Sequence, residues 1–357
     1  MVTSVYFFVC PPGPPENNAY LHTIVALVEG LQELGIATFA NKNYWQTENG
    51  YLLPASDKNF RDCDVVFIDA AFYDMGFAHL LPDDVFSKNR HYKLVYNDNS
   101  DGFITNGYRD EIKAVDIVLK SHYNKQHQYP NNFIPWQFGL TKRIINEVEP
   151  RSFTERNKTF LNNFRVSHPL RSLAQKKIAP FFRSILTEDT SVDSFEDTKQ
   201  MNALDYSYWC QTGRRHYPKY YQRLSNSYAC FCFGGNPQKF FYTQSNLFYK
   251  LLYKINWRLP IFDYDSIFQY DSWRFWESLV AGCCTLHIDF EKYGIVLPVM
   301  PINGKHYLGF DLVNIHKTTR LIKQNPDMLA TIGNNGREWV LEHYSPVKTA
   351  QRFIDLF

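Results

Sequence analysis

The feature that most constrains the fold is an alternation of short apolar runs and amphipathic segments in the amino-terminal part of the chain. The apolar runs are rich in β-branched and aromatic residues and lie at residues 4–9, 36–40, 63–69, 92–96 and 114–120. Between the first two runs, apolar residues at helical spacing predict a helix that ends at Gly35. This order is typical of a parallel sheet covered by helices, with its ligand crevice at the carboxyl ends of the strands.

A second set of strand-like runs indicates a second α/β unit. The runs lie at residues 159–164, 229–233 and 283–288, and a polar stretch without periodicity separates them from the first set. The length of 357 residues fits two domains of about 150 residues each. We therefore predict an α/β fold of two Rossmann-like domains with a cleft between them. The predicted boundaries are residues 1–150, residues 151–340, and a carboxyl-terminal helix, residues 341–357, that packs back on the first domain.

Smaller features of the second unit give more local predictions. Residues 187–200 are acidic and rich in Ser and Thr, which predicts a loop, and residues 234–237 read Gly-Gly-Asn-Pro, which predicts a turn. Asn325-Pro326 and Ser345-Pro346 each offer a cap followed by proline, so two helices are expected to close the chain.

The composition excludes several classes of protein. Apolar residues make up 45% of the chain, so it can bury a core and is not disordered as a whole. Lys and Arg total 38 against 36 Asp and Glu, a net charge of +2 that argues against a nucleic-acid partner. The purely apolar runs are far shorter than the about 20 residues that a transmembrane helix needs. The first residues do not resemble a signal peptide, so we expect a cytoplasmic protein without a membrane span.

Two segments of the second unit carry a recognisable motif. Residues 224–235 read LSNSYACFCFGG and residues 271–284 read DSWRFWESLVAGCC. Together they resemble the nucleotide-binding half of exostosin-like and group 1-like glycosyltransferases, which have the GT-B fold. In that group a serine, a strand containing FCF or FCL and a glycine precede the pattern S-x-R-x-x-E and a later G-C. The chain departs from the pattern at Ser278, where the family has alanine. The resemblance implies a glycosyltransferase whose donor is a nucleotide sugar, UDP- or GDP-linked.

The residues of the second segment suit a nucleotide on physical grounds as well. Ser272 can cap the predicted helix, and Arg274 and Glu277 are three apart, so they share one face near its amino end. A carboxylate there can accept the hydroxyls of a ribose, while the helix amino end and Arg274 attract the diphosphate. The alternative is a surface ion pair with a capping box and no function.

Basic residues follow the first strand of the second unit. Arg165, His168 and Arg171 lie where the resemblance implies contact with the donor diphosphate, and such cations offset the charge of a departing nucleoside diphosphate. Arg165 is the first choice and Arg171 the second, and a solvated basic loop is the alternative. Gly234 and Gly235, in the turn after the next strand, complete the predicted donor site.

The first unit offers candidate general bases at strand ends that would face the cleft. An inverting transferase needs one of them to activate the acceptor hydroxyl, whereas a retaining enzyme needs none. Asp98, in a polar loop after a buried strand, and His22, early on the first helix, lead Glu16 and Asp101. For His22 the alternative is a histidine satisfied on the helix face.

The sequence gives little support for a metal. Residues 62–64 and 263–265 both read Asp-x-Asp, the pattern with which GT-A transferases hold Mn²⁺ or Mg²⁺, but neither lies next to the donor motif. The seven cysteines form no CxxC pair and several lie in apolar runs, which predicts buried, reduced thiols. We expect no metal and no cofactor besides the donor itself.

The leading hypothesis is therefore a metal-independent glycosyltransferase with a glycan, a lipid-linked glycan or a small molecule as acceptor. A lipid-linked acceptor would bring a peripheral contact with a membrane. One alternative is a UDP-sugar epimerase of the same fold, which requires a dense set of acids and histidines around the sugar. The other is a non-catalytic protein that binds sugar nucleotides or glycans.

Overall fold

Two parallel β-sheets form the framework of the protein. The computed structural model describes residues 2–10, 22–99, 110–164, 168–192, 201–212, 218–238 and 266–357. The strands of the amino-terminal half are β1 (Ser4–Phe8), β2 (Ala37–Ala40), β3 (Tyr44–Thr47), β4 (Gly50–Leu53), β5 (Val65–Asp69), β6 (Lys93–Asp98), β7 (Ile117–Lys120) and β8 (Phe133–Pro135). Six of them form a sheet in the order β2-β1-β5-β6-β7-β8, all parallel, and β3 and β4 pair as a separate hairpin.

The second sheet has five parallel strands. The strands of the carboxyl-terminal half are β9 (Asn157–Leu161), β10 (Thr187–Asp189), β11 (Ser227–Phe231), β12 (Asn236–Gln238), β13 (Ser266–Phe268), β14 (Cys284–Ile288) and β15 (Leu308–Phe310). The sheet order is β10-β9-β11-β14-β15, while β12 and β13 form an antiparallel pair beside it.

Helices cover both sheets. They are α1 (His22–Glu33), α2 (Ala71–Asp74), α3 (Asp110–Lys113), α4 (Lys142–Glu147), α5 (Pro169–Lys177), α6 (Ala179–Arg183), α7 (Ala203–Gln211), α8 (Pro218–Asn226), α9 (Trp273–Val280), α10 (Ile315–Gln324), α11 (Met328–Tyr344) and α12 (Pro346–Ile354). Within the described residues, no helix combines the length and the apolar character needed to cross a membrane.

Alternating side chains place the two faces of the first sheet in different cores. Val5 and Phe7 of β1 belong to one apolar cluster, and Tyr6 and Phe8 to another on the opposite face. Successive strand residues point to opposite faces, so a strand covered on both sides reads as a continuous apolar run. This is why the sequence revealed these strands.

The last helix, α12, packs on the apolar core that covers one face of the first sheet. Phe353 of α12 lies in the same apolar cluster as Val5 and Phe7. Helix α12 also approaches α1 so closely that a Cβ atom at Gly30 would overlap the backbone oxygen of Pro346. Glycine at this position is therefore required by the contact between the two helices.

The mixed α/β architecture predicted from the sequence is confirmed, with the predicted strand ends correct to within a few residues. The predicted loop at residues 187–200 is wrong at its start, because Thr187–Asp189 pairs with β9 as an edge strand; residues 193–200 lie outside the described part. The predicted turn at residues 234–237 runs directly into β12. Short strands of this kind depend on their neighbours more than on their own propensity.

Only one of the two closing helices begins at the proline predicted to start it. Pro346 is the first residue of α12, as predicted. Helix α11 begins at Met328 with Asp327 at its N-cap, so Pro326 precedes the cap. Helix α10 was not among the sequence predictions.

Candidate functional site

The carboxyl ends of the two sheets meet at the junction between them. In the loop after β7, Nδ1 of His122 accepts a hydrogen bond from the backbone N–H of Asp271, just before α9, at 3.1 Å. In the same loop, the side-chain amide of Asn124 donates to the backbone oxygen of Tyr293, after β14, at 2.8 Å. Open α/β sheets bind their ligands at this edge. The junction is therefore the place where a functional site is expected.

A buried ion pair lies at the carboxyl ends of β6 and β7. Nζ of Lys120 is 3.2 Å from Oδ1 of Asp98, and neither side chain has exposed area. The two residues are partners in the parallel ladder, so strand register brings them together. Ions inside a protein are tolerated only when they are paired in this way. Asp98 thus lies at the strand end, as the sequence indicated; nothing in the sequence singled out Lys120.

A second buried carboxyl group lies at the end of the neighbouring strand. Asp69, the last residue of β5, accepts hydrogen bonds from the backbone N–H of Ala71 at 2.8 Å and from Nδ2 of Asn97 at 2.9 Å. Burial raises the pKa of Asp69 to about 7 in spite of these two hydrogen bonds. A group with this pKa can both release and accept a proton at neutral pH. Asp69 was not among the sequence candidates.

The ring of His122 lies at the junction. Its backbone is left-handed, with φ of 57°, and two aromatic rings have their centres 5.5 and 5.6 Å from its own. Burial lowers the pKa of His122 well below its usual range, and the positive charge of Lys120 lowers it further. Because Nδ1 accepts the N–H of Asp271, the neutral ring carries its proton on Nε2.

Asp271 connects the two domains at the start of α9. Its Oδ2 accepts a hydrogen bond from the backbone N–H of Phe138, after β8, at 3.0 Å, and its Oδ1 accepts from Nε1 of Trp276 at 2.6 Å. Burial raises the pKa of this carboxyl group to about 7. Asp271 therefore fixes α9 against the first domain and, through its own N–H, orients His122. The sequence motif contained Asp271 but gave no reason to single it out.

Helix α9 directs its amino end toward this junction, and arginines satisfy its carboxyl end. Ser272 occupies the predicted N-cap position, but within the described residues its hydroxyl makes no capping hydrogen bond. At the other end, Nη2 of Arg156 donates to Ala281 O at 2.7 Å and Nε of Arg337 donates to Val280 O at 3.0 Å. Cations at the carboxyl end complement the helix dipole, and the amino end favours an anion.

Glu277 is buried within the second domain. It has no exposed area, and its Oε2 accepts a hydrogen bond from the hydroxyl of Tyr220 at 2.8 Å. The surface ion pair considered as an alternative is therefore wrong, because a buried carboxylate cannot form one. A contact between Glu277 and a ribose stays a prediction.

Two arginines lie together at the carboxyl edge of the second sheet. The guanidinium carbons of Arg171 and Arg274 are 5.3 and 5.9 Å from the ring centre of Phe164, which follows β9. Arg274 donates to the neutral side-chain oxygen of Asn163, and Nε of Arg171 donates to Phe233 O at 2.9 Å. Burial, and then the charge of Arg274, lower the pKa of Arg171 to about 10. An anion bound beside both groups would offset their repulsion.

The predicted glycine pair closes the loop after β11 against the start of α5. Gly235 has φ of 104°, which favours glycine, and its N–H donates to Nδ1 of His168 at 2.9 Å. A Cβ atom at Gly234 would touch the backbone before α9, at 3.4 Å from its nearest atom. Burial, and then the charge of Arg171, lower the pKa of His168 to about 4. His168 is therefore neutral at pH 7, with its proton on Nε2.

Some predicted residues fall outside the described part of the chain. These are Arg165, Glu16, Asp101 and the Asp-x-Asp segment at residues 263–265. His22 is the first residue of α1, and its side chain also lies outside the description.

The other Asp-x-Asp segment, residues 62–64, lies at the amino end of β5, away from the junction. Oδ2 of Asp64 accepts hydrogen bonds from the N–H and hydroxyl of Thr3, both at 2.7 Å, and from the N–H of Ser4 at 2.9 Å. These contacts give the segment a structural role in joining β1 to β5. All seven cysteines are free thiols. Among the described residues, no three His, Cys, Asp or Glu side chains are grouped to hold a metal ion.

The solved structures that match this fold over nearly the whole chain include two glucosyltransferase structures. An alpha-glucosyltransferase in complex with UDP-glucose and DNA containing an abasic site matches with a TM-score of 0.53 and 9% identity, covering 99% of this chain and 98% of that one. An alpha-glucosyltransferase in complex with UDP matches with a TM-score of 0.52 and 10% identity, covering 100% of this chain and 99% of that one. The chain thus has the predicted GT-B fold of two Rossmann-like domains. No protein-family model matches the sequence, and no curated protein does.

One of these structures conflicts with a prediction about partners. The first matched protein was solved with DNA, which conflicts with the prediction of no nucleic-acid partner. Net charge averages over the whole surface and hides local clusters. The exostosin-like subtype stays a prediction.

Proposed function

We propose that the protein is a glycosyltransferase that moves a sugar from a nucleotide-sugar donor to a hydroxyl group of an acceptor. The observation that carries this proposal is the pair Arg171 and Arg274 at the carboxyl edge of the second sheet, beside the amino end of α9. Two guanidinium groups and a helix amino end are well suited to a diphosphate. The two matched glucosyltransferases were solved with UDP or UDP-glucose, which supports UDP as the donor nucleotide, with GDP second.

In this proposal the arginines stabilise the leaving group. As the bond between the sugar and the diphosphate breaks, negative charge grows on the phosphate oxygens, and fixed cations in a water-poor cleft lower the energy of that state. Arg274 and Arg171 bind the diphosphate, and Arg165 joins them from the segment after β9. Their charges take the role that a divalent cation has in Asp-x-Asp transferases, so we propose a reaction that needs neither a metal nor another cofactor.

The rest of the predicted donor site is assigned as follows. Gly234 and Gly235 let the backbone come close to the donor, and Ser272 presents the amino end of α9. Glu277 receives the ribose hydroxyls, with the hydrogen bond from Tyr220 fixing its orientation. Closure of the two domains over the donor would exclude water and limit hydrolysis.

The first domain contributes the groups that act on the sugar and the acceptor. The neutral ring of His122 lies at the junction with its proton on Nε2, held in that tautomer by the backbone N–H of Asp271. Asp98 and His22 remain the proposed general bases of an inverting reaction, and Asp69 joins them because its pKa lies near 7.

The proposed acceptor is a glycan, a lipid-linked glycan or a small molecule, and DNA is added because the matched glucosyltransferase was solved with it. A UDP-sugar epimerase and a non-catalytic binding protein are the remaining candidates. Incubation with UDP- and GDP-sugars, with and without a panel of these acceptors, separates them.

A glycosyltransferase releases the nucleoside diphosphate, and the release accelerates with the right acceptor. An epimerase changes the sugar and leaves the nucleotide sugar intact, while a binding protein shows affinity and no turnover. Absence of both binding and release with every nucleotide sugar would overturn the proposal.

A further inference from the structure

A cavity lies at the amino edge of the first sheet, at the other end from the junction. Its volume is about 330 Å³, and its wall includes Lys88, Arg90, His91, Lys93 and Asp116. Strand β6 begins at Lys93. Its other end is at Asp98, and at about 3.3 Å per residue the two ends are roughly 17 Å apart. The cavity is therefore separate from the proposed donor site.

The wall of this cavity concentrates positive charge. Lys88, Arg90 and Lys93 are cationic, and Asp116 is the one acid among the described residues that line it. The carboxylate of Asp116 is already engaged: its Oδ2 accepts hydrogen bonds from Leu94 N and from Nη2 of Arg90, both at 2.8 Å. Although burial opposes the change, these contacts lower the pKa of Asp116.

Arg90 is held in the wall by three hydrogen bonds, and its Nε is not used by any of them. Its Nη1 donates to Ser87 O at 2.9 Å and its Nη2 to Ala114 O at 2.8 Å, in addition to the contact with Asp116. Only 10% of the side chain is exposed. Among the described residues its buried Nε has no hydrogen-bond partner. Buried donors almost always have a partner, either in the protein or in a bound molecule.

The other cationic side chains also keep donors available. Nζ of Lys93 is 3.9 Å from Oδ1 of Asp116, which is beyond hydrogen-bond range. Within the part of the chain that the structure describes, the side chains of Lys88 and His91 form no hydrogen bond or ion pair. A fixed arginine beside two exposed lysines is an arrangement that suits an oxyanion.

We propose that this cavity is a second anion site, which binds a phosphate group. The ligand is inorganic phosphate or the phosphate of a larger molecule, because both present the same oxygens to Arg90, Lys88 and Lys93. This inference is independent of the proposed glycosyl transfer, since it involves the opposite edge of the sheet.

The test is calorimetric titration with inorganic phosphate and, separately, with a dinucleotide that contains a single phosphodiester, at low ionic strength. The variant Lys88→Ala/Lys93→Ala removes two exposed cations without touching the contacts of Arg90. Its matched control is Lys305→Ala/Lys317→Ala, in which both lysines are exposed and belong to the second unit rather than to the first sheet. Arg274→Ala reports on binding at the proposed donor site.

We expect phosphate affinity to fall at least about tenfold in Lys88→Ala/Lys93→Ala, and to be unchanged in the control and in Arg274→Ala. If only the dinucleotide binds, and its affinity falls in Lys88→Ala/Lys93→Ala but not in the control or in Arg274→Ala, the site is supported and its ligand is a phosphodiester. Loss of binding in Arg274→Ala with retention in the double variant would overturn the inference, as would the absence of binding of both probes to the wild-type protein.

Discussion

Replacement of Arg274 with leucine should separate donor binding from folding. Arg274 makes a hydrogen bond to the neutral Asn163, and its guanidinium carbon packs 5.9 Å from the ring centre of Phe164 and 5.7 Å from that of Tyr220. Leucine keeps part of this packing and removes the repulsion with Arg171, but it also removes the favourable charge interaction with the buried Glu277. We therefore expect the free energy of unfolding to fall by no more than about 2 kcal/mol.

The variant should also lose affinity for the donor. A hydrogen bond to a charged group contributes about 1.5–3 kcal/mol, so the affinity for UDP should fall by a factor of about 10 to 150. Titration calorimetry with UDP and GDP measures the affinity, and urea unfolding measures the stability.

Arg337→Leu is the matched control: Arg337 belongs to α11 and contacts the opposite end of α9. It removes the hydrogen bond from Nε to Val280 O at the carboxyl end of α9. We expect it to lower the free energy of unfolding by about 1 kcal/mol and to leave UDP affinity unchanged. If Arg274→Leu binds UDP as well as the wild-type protein, or if both variants lose affinity in parallel with stability, the diphosphate assignment is wrong.

Four further predictions follow from the geometry of the site. Lys120→Met breaks the buried ion pair with Asp98 and should lower the free energy of unfolding by about 3–5 kcal/mol in urea titrations. A loss below about 1 kcal/mol would contradict a stabilising ion pair between Lys120 and Asp98. Asp69 has a folded-state pKa of about 7, against about 3.9 when unfolded, so the folded state binds its proton more tightly and the wild-type protein loses stability as the pH rises from about 4 to 7. Asp69→Asn should lack this loss, and its stability relative to the wild type should rise across that window; a difference independent of pH would refute the shift. Glu277→Gln keeps an oxygen for the Tyr220 hydroxyl but loses the charge, so the donor KM should rise about tenfold with stability nearly unchanged, and an unchanged KM would restrict Glu277 to positioning Tyr220. Initial rates of glycosyl transfer should be the same with and without EDTA, and a loss restored by Mn²⁺ would reinstate the Asp-x-Asp segments.

The sequence predicted the framework well because buried parallel strands have a local signature. Residues 65–68 form a continuous apolar run followed by Asp69, and β5 occupies Val65–Asp69 with every residue buried. The hairpin of β3 and β4 and the edge strand β10 were missed, since strands of three or four residues depend on pairing with distant segments.

The candidate site was predictable only in part. The motif around Arg274 and Glu277 is local, and the structure places Arg274 beside Arg171. The link between His122 and Asp271 joins residues 149 positions apart, so no local pattern reveals it. The same holds for Lys120, because only the register of β6 and β7 places it opposite Asp98. Burial of Glu277 depends on Tyr220, on a different helix. Such contacts are properties of the assembled fold.

The decisive measurement is a crystal structure of the protein with bound UDP. We expect the two phosphates within hydrogen-bond distance of the guanidinium groups of Arg171 and Arg274, in front of the amino end of α9. UDP bound elsewhere, for example in the cavity beside Arg90, or phosphates that contact neither arginine, would contradict it.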